Sequence, residues 1–141
     1  MNKSILTTIV ILSFLILSGC KDEAPKNENV DFILYVSNQS YDVSPVDITI
    51  YIDDVIVVEG EYEIGDSHNW KSFDFNLLTG KHTIKVESQK GEASLVKNFE
   101  LTDDMYWAVI DYWQYSENTD GENTVVKRFS WLIQNEAIYF M

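Results

Sequence analysis

The chain has 141 residues, of which 45% are hydrophobic, 13% aromatic and 23% charged. This globular composition excludes a fibrous or wholly disordered chain and points to one domain. Ten Lys and Arg stand against 23 Asp and Glu, a formal net charge of −13 that excludes nucleic-acid binding, which needs counterion-releasing cations.

The first element in chain order is a short hydrophobic leader. Lys3 gives a positive start, and the run from Ile5 to Leu17 is apolar and uncharged. It falls well short of the about 20 apolar residues a membrane-crossing helix needs. The run ends in Leu17-Ser18-Gly19-Cys20, which resembles the bacterial lipobox. The resemblance implies that residues 1–19 are a lipoprotein signal peptide and that Cys20 becomes the lipidated first residue of the mature protein. Ser18 and Gly19 are small, as the peptidase pocket requires, and only a thiol forms the diacylglyceryl thioether. Anchoring by more than one acyl chain, palmitate among them, would hold the protein on a membrane where one chain is marginal. Cys20 is also the only cysteine, so no internal disulfide forms and stability must come from the core.

Residues 20–29 are polar, carry Pro25 and show no periodicity, which predicts a flexible tether. Lys21-Asp22-Glu23 directly after the cysteine resembles the surface-export signal of Bacteroidetes lipoproteins. That resemblance implies a lipid-anchored protein of the cell envelope, surface-exposed on the outer membrane if the host has two membranes.

Residues 30–141 read as β-structure throughout. Phe32, Leu34 and Val36 alternate with Ile33, Tyr35 and Ser37, and Ile48, Ile50 and Ile52 alternate with Thr49, Tyr51 and Asp53. Asp53-Asp54 predicts a tight hairpin into 55–58. Phe73, Phe75 and Leu77 form the next alternating row, and Thr79-Gly80 turns the chain into His82, Ile84 and Val86. Further strands are predicted over 93–101, 105–115 and 125–133, with a short one over 137–140. Asp120-Gly121 is the predicted hairpin turn between 105–115 and 125–133.

Eight or nine short strands with frequent turn signals and no helical period predict a single antiparallel β-sandwich, immunoglobulin-like or transthyretin-like. The stretch from Leu77 to Val86 resembles a hairpin of PEGA-type envelope domains, and Ile50 to Val55 resembles their earlier hairpin, with Asp54 where glycine is usual. The resemblance implies fold and brings no catalytic residues with it.

No pattern of catalytic chemistry emerges. His68 and His82 show no ligand spacing, and no G-x-S-x-G or S-x-x-K motif or phosphate-binding glycine loop is present. His82 falls in phase with Ile84 and Val86 and is predicted to cap that inward row. The loop 117–123 fails as an EF-hand, because with Gly121 at the sixth position Lys127 falls where a bidentate Glu is required. The expectation is a non-enzymatic protein with no metal and no cofactor.

The aromatic run 105–115 is the candidate surface. Period 2 places Trp107, Trp113 and Tyr115 on one face and Tyr106 and Tyr112 on the other. If the Val109 face is the core, Tyr106 and Tyr112 stand outside; packing against Phe129 and Trp131 is the competing role. The expected function is a binding or accessory module for a protein partner in the envelope, with glycan binding through the aromatic strand as the alternative.

Overall fold

The computed structural model describes residues 28–65, 69–102, 105–119 and 121–140. The leader, Cys20, the tether up to residue 27 and His68 lie outside the described residues. Within them the fold is all-β without a helix, in the order β1 (Asn29–Asn38), β2 (Val46–Ile52), β3 (Val55–Tyr62), β4 (Lys71–Leu78), β5 (Gly80–Ser88), β6 (Ala93–Leu101), β7 (Met105–Thr119) and β8 (Glu122–Gln134). Two four-stranded sheets result, ordered β4-β1-β7-β8 and β3-β2-β5-β6.

One apolar layer joins them. The inward rows Phe32, Leu34 and Val36 of β1 and Ala108, Ile110 and Tyr112 of β7 cluster with Ile48, Ile50 and Ile52 of β2, Ile84 and Val86 of β5, and Phe99 and Leu101 of β6. Phe32 and Phe99 stack across the layer at 5.5 Å between ring centres. Alternation along each strand directs one row to this layer and the other to solvent, the arrangement of a sandwich.

Three expectations need correction. The sheets are not wholly antiparallel, because β1 and β7 run parallel from Asp31↔Met105 to Asn38↔Tyr112. Short connections make successive strands alternate in direction, so all odd-numbered strands run the same way, and here two of them became neighbours. Second, Thr79-Gly80 is not a hairpin turn: β4 and β5 belong to different sheets, and the corner between them is Thr79 followed by Gly80 at φ 125°. The predicted inward rows on either side of it do face one core, but from opposite sheets. Third, residues 137–140 form no strand, whereas 117–119 and 122–123, read as loop, belong to the β7–β8 ladder.

The two-residue β2–β3 turn conforms to its chemistry. Asp53 (φ 50°) and Asp54 (φ 65°) make the β2–β3 turn in the left-handed region that short hairpins need. Asp53 also uses its side chain, since Thr83 N donates to its Oδ1 at 2.9 Å, a bond that glycine would forfeit.

Strand directions give the sandwich two ends. Asn29, the Asp53-Asp54 turn, Thr79 and Met105 share the near end, where the chain enters β1; residues 39–45, the β5–β6 turn and the β7–β8 tip share the far end. Beyond Tyr112 the only strand hydrogen-bonded to β7 among the described residues is β8, so Trp113–Thr119 with Glu122–Arg128 form a two-stranded arm whose base is tied to the β5–β6 turn by Lys127 and Glu92, 2.8 Å apart. At about 3.3 Å per residue the arm extends roughly 20 Å past β1.

Candidate functional site

On β7 the inward row is Tyr106, Ala108, Ile110 and Tyr112, so the Val109 face is the outer one. The five aromatic candidates therefore divide. Tyr112 is 0% exposed, and its hydroxyl donates to Gly91 O at 3.0 Å, which removes it from any surface. It meets Phe129 edge-on at 5.6 Å, the packing role weighed above. Tyr106 is half-buried against the core, its hydroxyl 3.1 Å from Thr102 Oγ1. Trp107, Trp113 and Tyr115 point outward. Trp113 is 36% exposed and donates its indole N–H to Ser130 Oγ at 3.2 Å. Arg128 lies 5.6 Å from the centre of the Tyr115 ring at the base of the arm.

The outer face carries an arrangement that residue counting missed. Asp111 stands between Trp107 and Trp113 in space as in sequence and gathers donors from three elements. Ser37 Oγ of β1 and the indole N–H of Trp70 donate to its Oδ1 at 2.6 Å and 2.8 Å. Ser130 Oγ of β8 reaches its Oδ2 only at 3.4 Å. Trp70 in turn is stacked on Phe140, ring centres 4.0 Å apart and planes 15° from parallel. The Phe140 ring also meets Tyr35 edge-on at 5.0 Å. Residues 135–140 thus leave β8 at the near end and return over the outer face to Tyr35 and Trp70. Val109, outward-facing yet only 6% exposed, lies in this covered part of the face. The signal for it in the sequence was Asp111 itself, a lone charge in the middle of an aromatic strand.

A second polar cluster sits at the near end, beside an open depression of about 500 Å³ lined by Lys81, His82, Thr83, Asn98, Phe99 and Glu100. His82 Nδ1 is 2.6 Å from Asp53 Oδ2 and Nε2 is 2.7 Å from Leu78 O. Both nitrogens are engaged, so the ring pins the β2–β3 turn and the β4–β5 corner together, with neither nitrogen turned to a ligand. Burial alone would lower the His82 pKa, but the bonds to Asp53 and Leu78 O and the Asp53 charge outweigh it and raise it. The carboxyl of Asp53 is likewise raised by burial but held below its ordinary value overall, by bonds from Thr83 N and His82 and by the His82 charge. The His82 side chain is in-phase with Ile84 and Val86 and lies against Phe99 at 5.4 Å, at the end of the inward row.

Among the described residues no three His, Cys, Asp or Glu side chains gather in the manner of a metal site. No protein-family model matches the chain, and no curated protein matches it.

Proposed function

We propose that this chain is a lipid-anchored protein of the cell envelope, held by Cys20, whose sandwich is a non-catalytic binding module for a protein partner. The observation that carries the reading is the polarity of the sandwich. The chain enters β1 at the near end, and the β7–β8 arm projects from the opposite end with Trp113 and Tyr115 at its base. On a lipid anchor, that geometry would hold the arm away from the membrane, and its two unpaired edges offer backbone donors and acceptors to an added strand. The Leu17-Ser18-Gly19-Cys20 sequence supports the anchor.

Of the two sandwich types considered, the transthyretin-like one is favoured. An immunoglobulin domain keeps its first two strands in one sheet. Here β1 and β2 lie in different sheets, and β1 pairs parallel with β7.

The test has two parts. Metabolic labelling with an alkyne fatty acid should mark the wild-type chain in a membrane fraction and not Cys20→Ala; an unlabelled wild type would overturn the anchor. A photocrosslinking residue at Trp113 in intact cells should yield a discrete protein adduct. Adducts to polysaccharide instead would replace the protein partner with the glycan alternative.

A further inference from the structure

Residues 135–140 cover the outer face without joining its ladder. Among the described residues no backbone hydrogen bond ties 136–140 to a strand. The bend after β8 is held by Gln134 Nε2 donating to Glu136 O at 2.9 Å, and Tyr139 points away, 85% exposed. The segment lies on the sheet through side chains: Ala137 and Ile138 are half-buried, and Phe140 stands face to face with Trp70 and edge to face with Tyr35. Such a segment exchanges readily with solvent, because no row of backbone bonds must break with it.

The slot has a polar side as well. The indole that stacks on Phe140 donates to Asp111 Oδ1, so the carboxylate stands beside the ring. Oδ1 has two short donors, whereas among the described residues Oδ2 has only the long contact from Ser130. A carboxylate oxygen accommodates two donors, so Oδ2 keeps capacity for a strong one. Phe140 itself brings no cation to it. An aromatic residue next to Arg or Lys would meet both features, and the chain's net charge of −13 draws a basic segment toward it.

We propose that the Trp70–Tyr35 slot with Asp111 at its side binds an aromatic residue within a basic segment of a partner protein, and that residues 135–140 occupy it until that partner arrives. The inference rests on the proposed protein-binding function and gives that partner its chemistry.

The experiment uses the full chain in non-ionic detergent, labelled with 5-fluorotryptophan, with the Trp70 resonance assigned by Trp70→Phe. The probes are the blocked tripeptides acetyl-Arg-Phe-Arg-amide, acetyl-Ala-Phe-Ala-amide and acetyl-Glu-Phe-Glu-amide. Phe140→Ala should bind the basic probe at least about tenfold more tightly than wild type, because the competing occupant is gone. In that background Asp111→Asn should weaken the basic probe about fivefold and leave the neutral one within about twofold. The Trp107 and Trp131 resonances report whether each variant is folded. A folded Phe140→Ala whose Trp70 signal ignores all three probes overturns the proposal, as does equal binding of the acidic and basic probes. Dimerisation of Phe140→Ala mixed with wild type, with Trp70 protected, would also overturn it by making a second copy the occupant. Should the probes fail while the Trp113 crosslink still captures a protein, only the slot is refuted; should the crosslink fail while the basic probe binds, the slot stands and the partner reading falls.

Discussion

The hydroxyl of Tyr112 donates to the carbonyl of Gly91 at 3.0 Å, and the same tyrosine ring occupies the space where a side chain on residue 91 would go. One residue of β7 thus locks the β5–β6 turn of the opposite sheet through a bond and a close approach together. A Cβ at position 91 would lie 2.6 Å from Tyr112 Cε2 and 2.7 Å from Ser88 Oγ.

Tyr112→Phe leaves the buried Gly91 carbonyl without this donor and is expected to cost about 1–2 kcal/mol. Gly91→Ala overpacks the turn and is expected to cost about 1–3 kcal/mol. Urea unfolding measures both, and a Gly91→Ala midpoint equal to wild type would contradict the close approach.

Phe32 is fully buried at the centre of the layer, 5.5 Å from Phe99 of the other sheet and 6.4 Å from Phe75 of β4. Phe32→Ala removes contacts on both sides and is expected to cost about 3–5 kcal/mol. Phe32→Leu, which keeps most of the volume, should cost clearly less. Chemical denaturation with a constant slope would establish the order.

The His82–Asp53 pair makes stability depend on pH. The histidine pKa is raised on folding above its ordinary 6.5, so its contribution is complete below that value and is lost as pH climbs through the folded pKa. The aspartate pKa is lowered below its ordinary 3.8, so its share is present above that value and is lost on acidification through the folded pKa. The pair is therefore strongest between about pH 4 and 6.5. Thermal melts of wild type and His82→Gln should differ most in that window and converge as pH rises beyond neutrality. A difference that is flat from pH 5 to 9 would mean the ring contributes no charge.

Trp113, with 36% of its surface exposed, should supply most of the tryptophan emission that acrylamide reaches. Trp113→Phe is expected to shift the emission to the blue and cut the quenchable fraction while leaving stability within about 0.5 kcal/mol. Unchanged quenching would place the accessible tryptophan elsewhere.

Much of the fold is legible in the sequence because alternation survives wherever one face of a strand is buried. The rows Phe32-Leu34-Val36 and Ile48-Ile50-Ile52 are both inward, and the strand over 93–101 has its predicted bounds. What period 2 does not encode is which sheet a strand joins. Leu77 and Ile84 look alike on either side of Thr79-Gly80 whether the chain turns back on itself or crosses a layer, and it crosses. Nor does alternation rank the two faces of β7. Tyr112 and Trp113 each carry one polar group on an aromatic body, yet the tyrosine is inside, where Gly91 O satisfies its hydroxyl. The polar grouping on the outer face was beyond a local reading, since Ser37, Trp70, Asp111 and Ser130 come from four separate stretches of chain.

The parallel β1–β7 pair has a kinetic consequence. Ser37 and Asp111, bonded across it, are 74 positions apart, so this ladder closes a loop spanning most of the domain. The apolar row of β1 waits for β7 to be synthesised before its sheet has a centre, and folding with such distant pairings runs on the millisecond-to-second scale. Until that strand exists the β4-β1-β7-β8 sheet cannot close, so the finished sandwich is a late product of synthesis rather than an early one.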